Sequence, residues 1–199
     1  MGTYKVTIKG KGNYTGTKTL TFKIKPISIT KCSVKLSTTA YTYNGATKTP
    51  SVVVKNASGT TLKKNTHYTV TYASGRKNIG TYKATVKMKG NYSGTKTLTF
   101  KINPAKTAIT GMEVSSRSVK VMVKRLSSSQ ASGYQIQHSA SSKFTNATTK
   151  TLSGYKTTTG TVTIPAAKRT YHVRVRTYKT VNGIDYYSAW ETYYYTKTV

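Results

Sequence analysis

Residues 80–104 read GTYKATVKMKGNYSGTKTLTFKINP, and nearly the same run stands 78 positions earlier as GTYKVTIKGKGNYTGTKTLTFKIKP, residues 2–26. Five of the twenty-five positions differ (6/84, 8/86, 10/88, 15/93 and 25/103), so twenty are identical. Within the second copy Tyr82, Ala84, Val86 and Met88 alternate with Lys83, Thr85, Lys87 and Lys89, and Leu98, Phe100 and Ile102 alternate with Thr97, Thr99 and Lys101. A period of two means strands with one apolar face. Between the runs lies Gly90-Asn91-Tyr92-Ser93-Gly94, built of residues that turn a chain at low steric cost. Each copy therefore reads as a β-hairpin.

A repeat of this length is too long for a solenoid unit and suits a small sandwich domain. The hairpin motif, with Tyr43-Asn44-Gly45, Thr49-Pro50-Ser51-Val52 and the run Asn65-Thr66-His67-Tyr68-Thr69-Val70-Thr71-Tyr72, resembles the immunoglobulin-like repeat found in tandem in large surface and secreted proteins of Gram-positive gut bacteria. The resemblance implies an immunoglobulin-like sandwich over 26–104, an extracellular or cell-surface location, and residues 1–25 as the C-terminal hairpin of a truncated repeat. Strands are expected near 28–36, 40–43, 50–56, 67–73, 80–88 and 95–103. The family commonly has an acidic residue where this chain has His67.

Pro26 and Pro104 fall at equivalent points, where a proline stops a strand ladder. Beyond Pro104 the spacing changes, but Val119/Val121/Val123, Tyr134/Ile136/His138, Val162/Ile164 and Tyr171/Val173/Val175 still alternate with polar residues. The runs Gly133–Gln137, Tyr171–Tyr178 and Tyr187-Ser188-Ala189-Trp190 resemble a bacterial fibronectin type III domain, which would occupy 105–199. That resemblance implies an inward Tyr171 that helps fix a loop corner, with Val173 and Val175 in the core. The chain departs from the pattern at Val123, where a core Trp is expected, and at Pro165, where a Leu is expected. The fold class read from all this is all-β, as tandem immunoglobulin-like and fibronectin type III sandwiches behind a partial N-terminal repeat.

Thirty-three Lys and Arg face only Glu113, Asp185 and Glu191, a net charge of +30. Such a surface seeks anions. Most individual lysines read as the solvated outer faces of sheets. Candidate polyanion-binding residues are Lys83, Lys87 and Lys89 on one strand and Arg174, Arg176 and Lys179 on another. The second group is interleaved with Tyr178 and followed by Tyr193, Tyr194 and Tyr195, a composition that can stack on and neutralise nucleic acid or acidic glycan. The expected partners are anionic polymers, whether cell-wall polymers, acidic glycans or nucleic acid, bound without sequence preference.

Three acids are little material for paired-carboxylate chemistry, so an enzyme is not expected. His67, His138 and His172 lack companions at ligand spacing and read as surface or boundary residues, so no metal or cofactor is expected. Cys32 shares the parity of Val34 and Leu36 and reads as a small buried hydrophobe. The Asn-x-Ser/Thr tripeptides at 13, 56, 91 and 146 read first as turns. No apolar run has membrane-spanning length, and no apolar leader follows Met1.

The reading from residues and resemblance is a non-catalytic spacer or adhesive module of a bacterial surface or secreted protein. The alternative is a supercharged protein, natural or engineered, whose sandwiches display charge for polyanion binding or cell entry. The apolar face of the half-repeat has no partner of its own, so the chain is expected to be mostly monomeric, with salt-promoted self-association through residues 2–25.

Overall fold

The computed structural model describes residues 1–115, 117–164 and 170–195, the last three by their backbone alone. The repeated hairpin appears first as β1 (Gly2–Lys9) and β2 (Thr17–Ile24), paired antiparallel over eight residue pairs. Then come β3 (Ile27–Ser28), β4 (Ser33–Leu36), β5 (Ala40–Thr42), β6 (Val52–Lys55), β7 (Tyr68–Tyr72), β8 (Gly80–Met88), β9 (Tyr92–Ser93) and β10 (Thr95–Asn103). After Pro104 follow β11 (Ile109–Val114), β12 (Ser118–Val123), β13 (Gly133–Ser139), β14 (Thr148–Ser153), β15 (Thr159–Thr163), β16 (Tyr171–Val181), β17 (Ile184–Tyr187) and β18 (Glu191–Tyr195). The fold is all-β sandwich.

The strand expected over 28–36 is interrupted. Ser28 Oγ accepts the Thr30 backbone N–H at 3.3 Å and caps a single 3₁₀ turn, Ile29–Lys31, which separates β3 from β4. The turn sends Ile29 into the core against Gly94, where a Cβ would lie 2.8 Å from the Ile29 side chain; Gly94 also has a φ of +102°. The loop between β8 and β10 also holds β9, which pairs parallel with β3.

By backbone proximity the chain forms two compact units. The first comprises Met1–Thr38, Pro50–Ala73 and Lys83–Thr99, and the second Thr39–Thr49, Ser74–Tyr82 and Phe100–Val199. The first unit's core holds Ile29, Cys32, Val34, Val54, Leu62, Tyr68, Val86 and Met88. Antiparallel β4 and β6 set Val34 opposite Val54, and the Tyr68 hydroxyl donates to the Val52 carbonyl at 2.9 Å, so the one polar atom on that large side chain is satisfied.

The hairpin β1–β2 adds nothing to that core. Tyr4, Val6, Ile8, Leu20, Phe22 and Ile24 are between 42% and 54% exposed. In β8 and β10 the counterparts Ala84, Val86, Phe100 and Ile102 are at most 1% exposed.

The second unit's core is formed where β11, β12 and β15 make one sheet and β14, β13, β16 and β17 another, with β18 also pairing β16. Val119, Val121, Val123, Tyr134, Ile136, Leu152, Val162, Ile164, Tyr171, Val173 and Val175 fill it. Val123, where the resemblance called for Trp, is buried in this core. Tyr134 is its largest fully buried side chain; the hydroxyl accepts the Leu126 N–H at 2.7 Å and donates to the Tyr155 carbonyl at 3.1 Å. Tyr171 is buried as expected of an inward residue, while Pro165 lies outside the described residues.

Candidate functional site

Strand β16 alternates along its length. Tyr171, Val173, Val175 and Thr177 point into the core, so His172, Arg174, Arg176 and Tyr178 share the outer face. In the antiparallel register Gln137 stands opposite Arg174 and Gln135 opposite Arg176. Arg174 Nε donates to Gln137 Oε1 at 2.6 Å, and Arg176 Nε donates to Gln135 Oε1 at 2.8 Å. Each glutamine in turn donates from Nε2 to β14, Gln135 to Thr151 at 3.2 Å and Gln137 to Thr149 at 3.0 Å. Two hydrogen-bonded rows therefore cross three strands and hold both guanidinium groups in place.

The pairing of β16 with the returning chain breaks in the middle. Residues Tyr178–Val181 pair with β17 and Tyr171–Val175 with β18, leaving Ser188-Ala189-Trp190 between. Ser188 bridges the break. Its N–H donates to the Thr177 carbonyl and its hydroxyl oxygen accepts the Thr177 N–H, both at 3.0 Å. This crossing brings Trp190 over the outer face between the two arginines. The Arg174 guanidinium carbon lies 4.0 Å from the Phe144 ring centre and 4.5 Å from Trp190; that of Arg176 lies 4.3 Å from Trp190 and 3.9 Å from Tyr187. The result is a ladder of alternating rings and cations, Phe144, Arg174, Trp190, Arg176, Tyr187.

Each guanidinium is stabilised by ring quadrupoles. Among the described residues neither arginine has an ion-pair partner: Glu191 pairs with Lys106, Glu113 pairs with Lys120, and Asp185 accepts from Thr180 and from Tyr187, the last ring of the ladder. Desolvation lowers the pKa of Arg174 and, with the Arg174 charge as a lesser cause, that of Arg176, both groups remaining cationic at neutral pH. Tyr187 is raised, first by desolvation and then by Asp185.

Of the sequence-predicted binding residues, Arg174 and Arg176 are thus brought together, but each guanidinium already lies over two rings of the protein. Lys179 donates to the Ser128 carbonyl at 2.7 Å. Lys83, Lys87 and Lys89 belong to the other unit, on or beside β8, all three exposed on the face opposite buried Ala84, Val86 and Met88. Tyr178 stands beside Tyr187 with ring centres 6.5 Å apart. The side chains of Tyr193, Tyr194 and Tyr195 lie outside the described residues. A further cationic feature is a cleft of about 300 Å³ on β4 and β6, lined by Ser33, Lys35, Leu36, Val53 and Lys55.

His138 corrects the expectation of a surface or boundary histidine. It shares the inward parity of Tyr134 and Ile136, is 7% exposed, and its Nδ1 meets no hydrogen-bond partner among the described residues. Burial holds its pKa below the usual histidine range, opposed by a hydrogen bond to the Thr163 backbone. His67 is half-buried, its Nδ1 accepting the Lys63 N–H at 3.0 Å. Cys32 is buried, as its parity required.

No family model matches the chain, and no curated protein does. Solved structures similar to it are tandem β-sandwich proteins. A two-domain fibronectin type III segment of chicken tenascin aligns at 12% identity and a TM-score of 0.45, over 83% of this chain and 98% of that one. The first to third fibronectin domains of chicken CNTN1 align at 16% identity and a TM-score of 0.38, over 98% and 78% of the two chains. The Yersinia pseudotuberculosis adhesin InvE aligns at 14% and 0.31, over 84% and 60%.

Proposed function

We propose that this chain is a non-catalytic structural and adhesive module of a bacterial surface or secreted protein, holding itself to acidic polymers through its lysines. The observation that carries the reading is the placement of charge. Among the described residues all three carboxylates are engaged locally, whereas Lys83, Lys87 and Lys89 project from one strand face without a carboxylate partner. An uncompensated cationic face attracts polyanions at a distance and binds by releasing their counterions. On the outer face of β4 and β6 the register sets Lys35 opposite Val53 and Lys55 opposite Ser33, a further pair of exposed cations for an acidic polymer. The Arg174–Arg176 ladder works differently. Its rings are occupied by the protein's own cations, so it braces the second sheet and leaves the contact to its neighbours.

Binding to heparin as the acidic-glycan probe, titrated against NaCl, tests the proposal. Affinity should fall by ~10³-fold or more between about 50 and 200 mM salt. Absence of binding at the low-salt end, or affinity indifferent to salt, would remove the polyanion part of the reading.

A further inference from the structure

The molecule contains the same hairpin twice, once covered and once bare, and so displays what its apolar face is shaped to meet. In the covered copy Val86 and Met88 pack with Ile29, Cys32, Val34, Val54, Leu62 and Tyr68, all supplied by residues 27–79, and Leu98 packs against the same cluster. In the bare copy the register aligns Tyr4 with Phe22 and Val6 with Leu20 on one face, the two rings stacked at 5.6 Å. Tyr82 and Phe100 meet at 5.8 Å in the covered copy. Backbone register and aromatic pair are thus assembled before anything docks. The lysines Lys5, Lys9 and Lys23 share the other face with Thr7 and Thr19, so the apolar face is clear apart from Lys18 at one end, opposite Ile8.

The chain's own residues 27–79 cannot cover β1–β2 in the manner of the second copy. There, Ile27 pairs with Tyr92 at the turn end of the hairpin, while the position equivalent to Ile24 is Ile102, ten residues along. Ten extended residues cover roughly 33 Å. The link from Ile24 to Ile27 is three residues and reaches ~11 Å at most. The segment that covers the second copy therefore leaves the first one open.

We propose that the face of β1–β2 is a docking surface for a second segment of the 27–79 kind, distinct from the one already seated on 80–104. Its strands would reproduce the Val34/Val54 pairing of β4 and β6 over Val6, Ile8 and Leu20. The sequence differences refine the fit. Val6 replaces Ala84 and Ile8 replaces Val86, both larger, while Gly10 replaces the buried Met88. A matched occupant therefore carries smaller side chains opposite residues 6 and 8 and a larger one opposite residue 10.

The test joins a second copy of residues 27–79 ahead of Gly2 in the full chain, so that the junction imitates Ile79-Gly80, and follows amide hydrogen exchange residue by residue. Amides of Tyr4–Ile8 and Leu20–Ile24 should slow by ~100-fold or more toward those of 80–104, and Phe22→Ser with Leu20→Ser should abolish the gain. Unchanged exchange at 2–25, with 80–104 still protected, overturns the proposal. So does a native chain that alone, at raised concentration, protects 2–25 as fully as 80–104, because a second copy of the hairpin would then be the occupant. If the extended chain fails to fold, free polypeptide 27–79 added to the native chain decides: protection of 2–25 supports docking, and none overturns it.

Discussion

The guanidinium of Arg176 lies 3.9 Å from the ring centre of Tyr187, whose hydroxyl donates to Asp185 at 3.3 Å. A cation and an anion thus act on the same phenol, one across its face and one at its edge. Desolvation and Asp185 raise the Tyr187 pKa while Arg176 lowers it, so the phenol stays protonated at neutral pH and keeps its hydrogen bond. The contact links β16 to β17 through side chains where the backbone pairing is about to break.

Removing the central rung should expose the energetics of the ladder. Trp190→Ala loses contact with both arginines, each worth ~0.5–2 kcal/mol, together with the burial of a half-covered indole, and should lower unfolding stability by ~2–4 kcal/mol. Arg176→Lys keeps the charge but loses the plane and the Nε donor to Gln135, and should cost about 1–2 kcal/mol. Urea denaturation measures both, and a double-mutant cycle of Arg176 with Tyr187 should show favourable coupling of ~0.5–1 kcal/mol.

His138 sets a pH dependence with a definite sign. Because burial lowers its folded pKa, the folded state holds it neutral, and protons bind the unfolded chain more readily. Its contribution is therefore fully present above the unfolded value of about 6.5 and is lost as pH falls from there toward the lower folded value. The denaturation midpoint should drop between about pH 7 and pH 5, and His138→Phe should flatten that drop. An identical decline in the variant would assign the acid sensitivity to another group.

Gly133 offers a steric test in the same sheet. A Cβ there would collide with the Leu152 carbonyl oxygen, which is backbone and cannot swing away, and would meet the Tyr178 ring at 2.7 Å. Gly133→Ala should therefore cost ~1–3 kcal/mol or more by pushing β13 from β14. Gly183→Ala samples a different penalty, since its Cβ would meet open space but its φ is +77°, and the loss should stay near ~1 kcal/mol.

Period-two patterning made the strands legible, and the internal duplication showed that β1–β2 and β8–β10 are one motif in two settings. The interruption at Ile29–Lys31 has a signal in the sequence, since the apolar positions are odd at Ile27 and Ile29 but even at Cys32, Val34 and Leu36, a switch of parity that an unbroken strand does not make and that the 3₁₀ turn supplies. Parity placed Arg174 and Arg176 on one face. It could not supply Phe144 from a loop or Trp190 from a break in strand pairing, because both depend on tertiary register. His138 is legible too, since it shares the parity of Tyr134 and Ile136 and is buried with them; the absence of companions at ligand spacing says nothing about which face a strand residue takes.

The two groups of candidate cations should separate in a binding experiment. Lys83, Lys87 and Lys89 are exposed, so Lys83→Gln, Lys87→Gln and Lys89→Gln together should leave stability within about 0.5 kcal/mol per site while weakening a polyanion. With single-stranded DNA as the probe, each lysine that touches phosphate contributes roughly 0.7 to the slope of log affinity against log salt, so the triple variant should flatten it by up to ~2. Arg174→Gln with Arg176→Gln should do the reverse. The pair is stacked on Phe144, Trp190 and Tyr187, so stability should fall while the salt slope changes little. Salt-titrated fluorescence anisotropy and urea denaturation on the same two variants read both quantities. A slope lost with the arginines and kept without the lysines would make the ladder itself the polyanion contact.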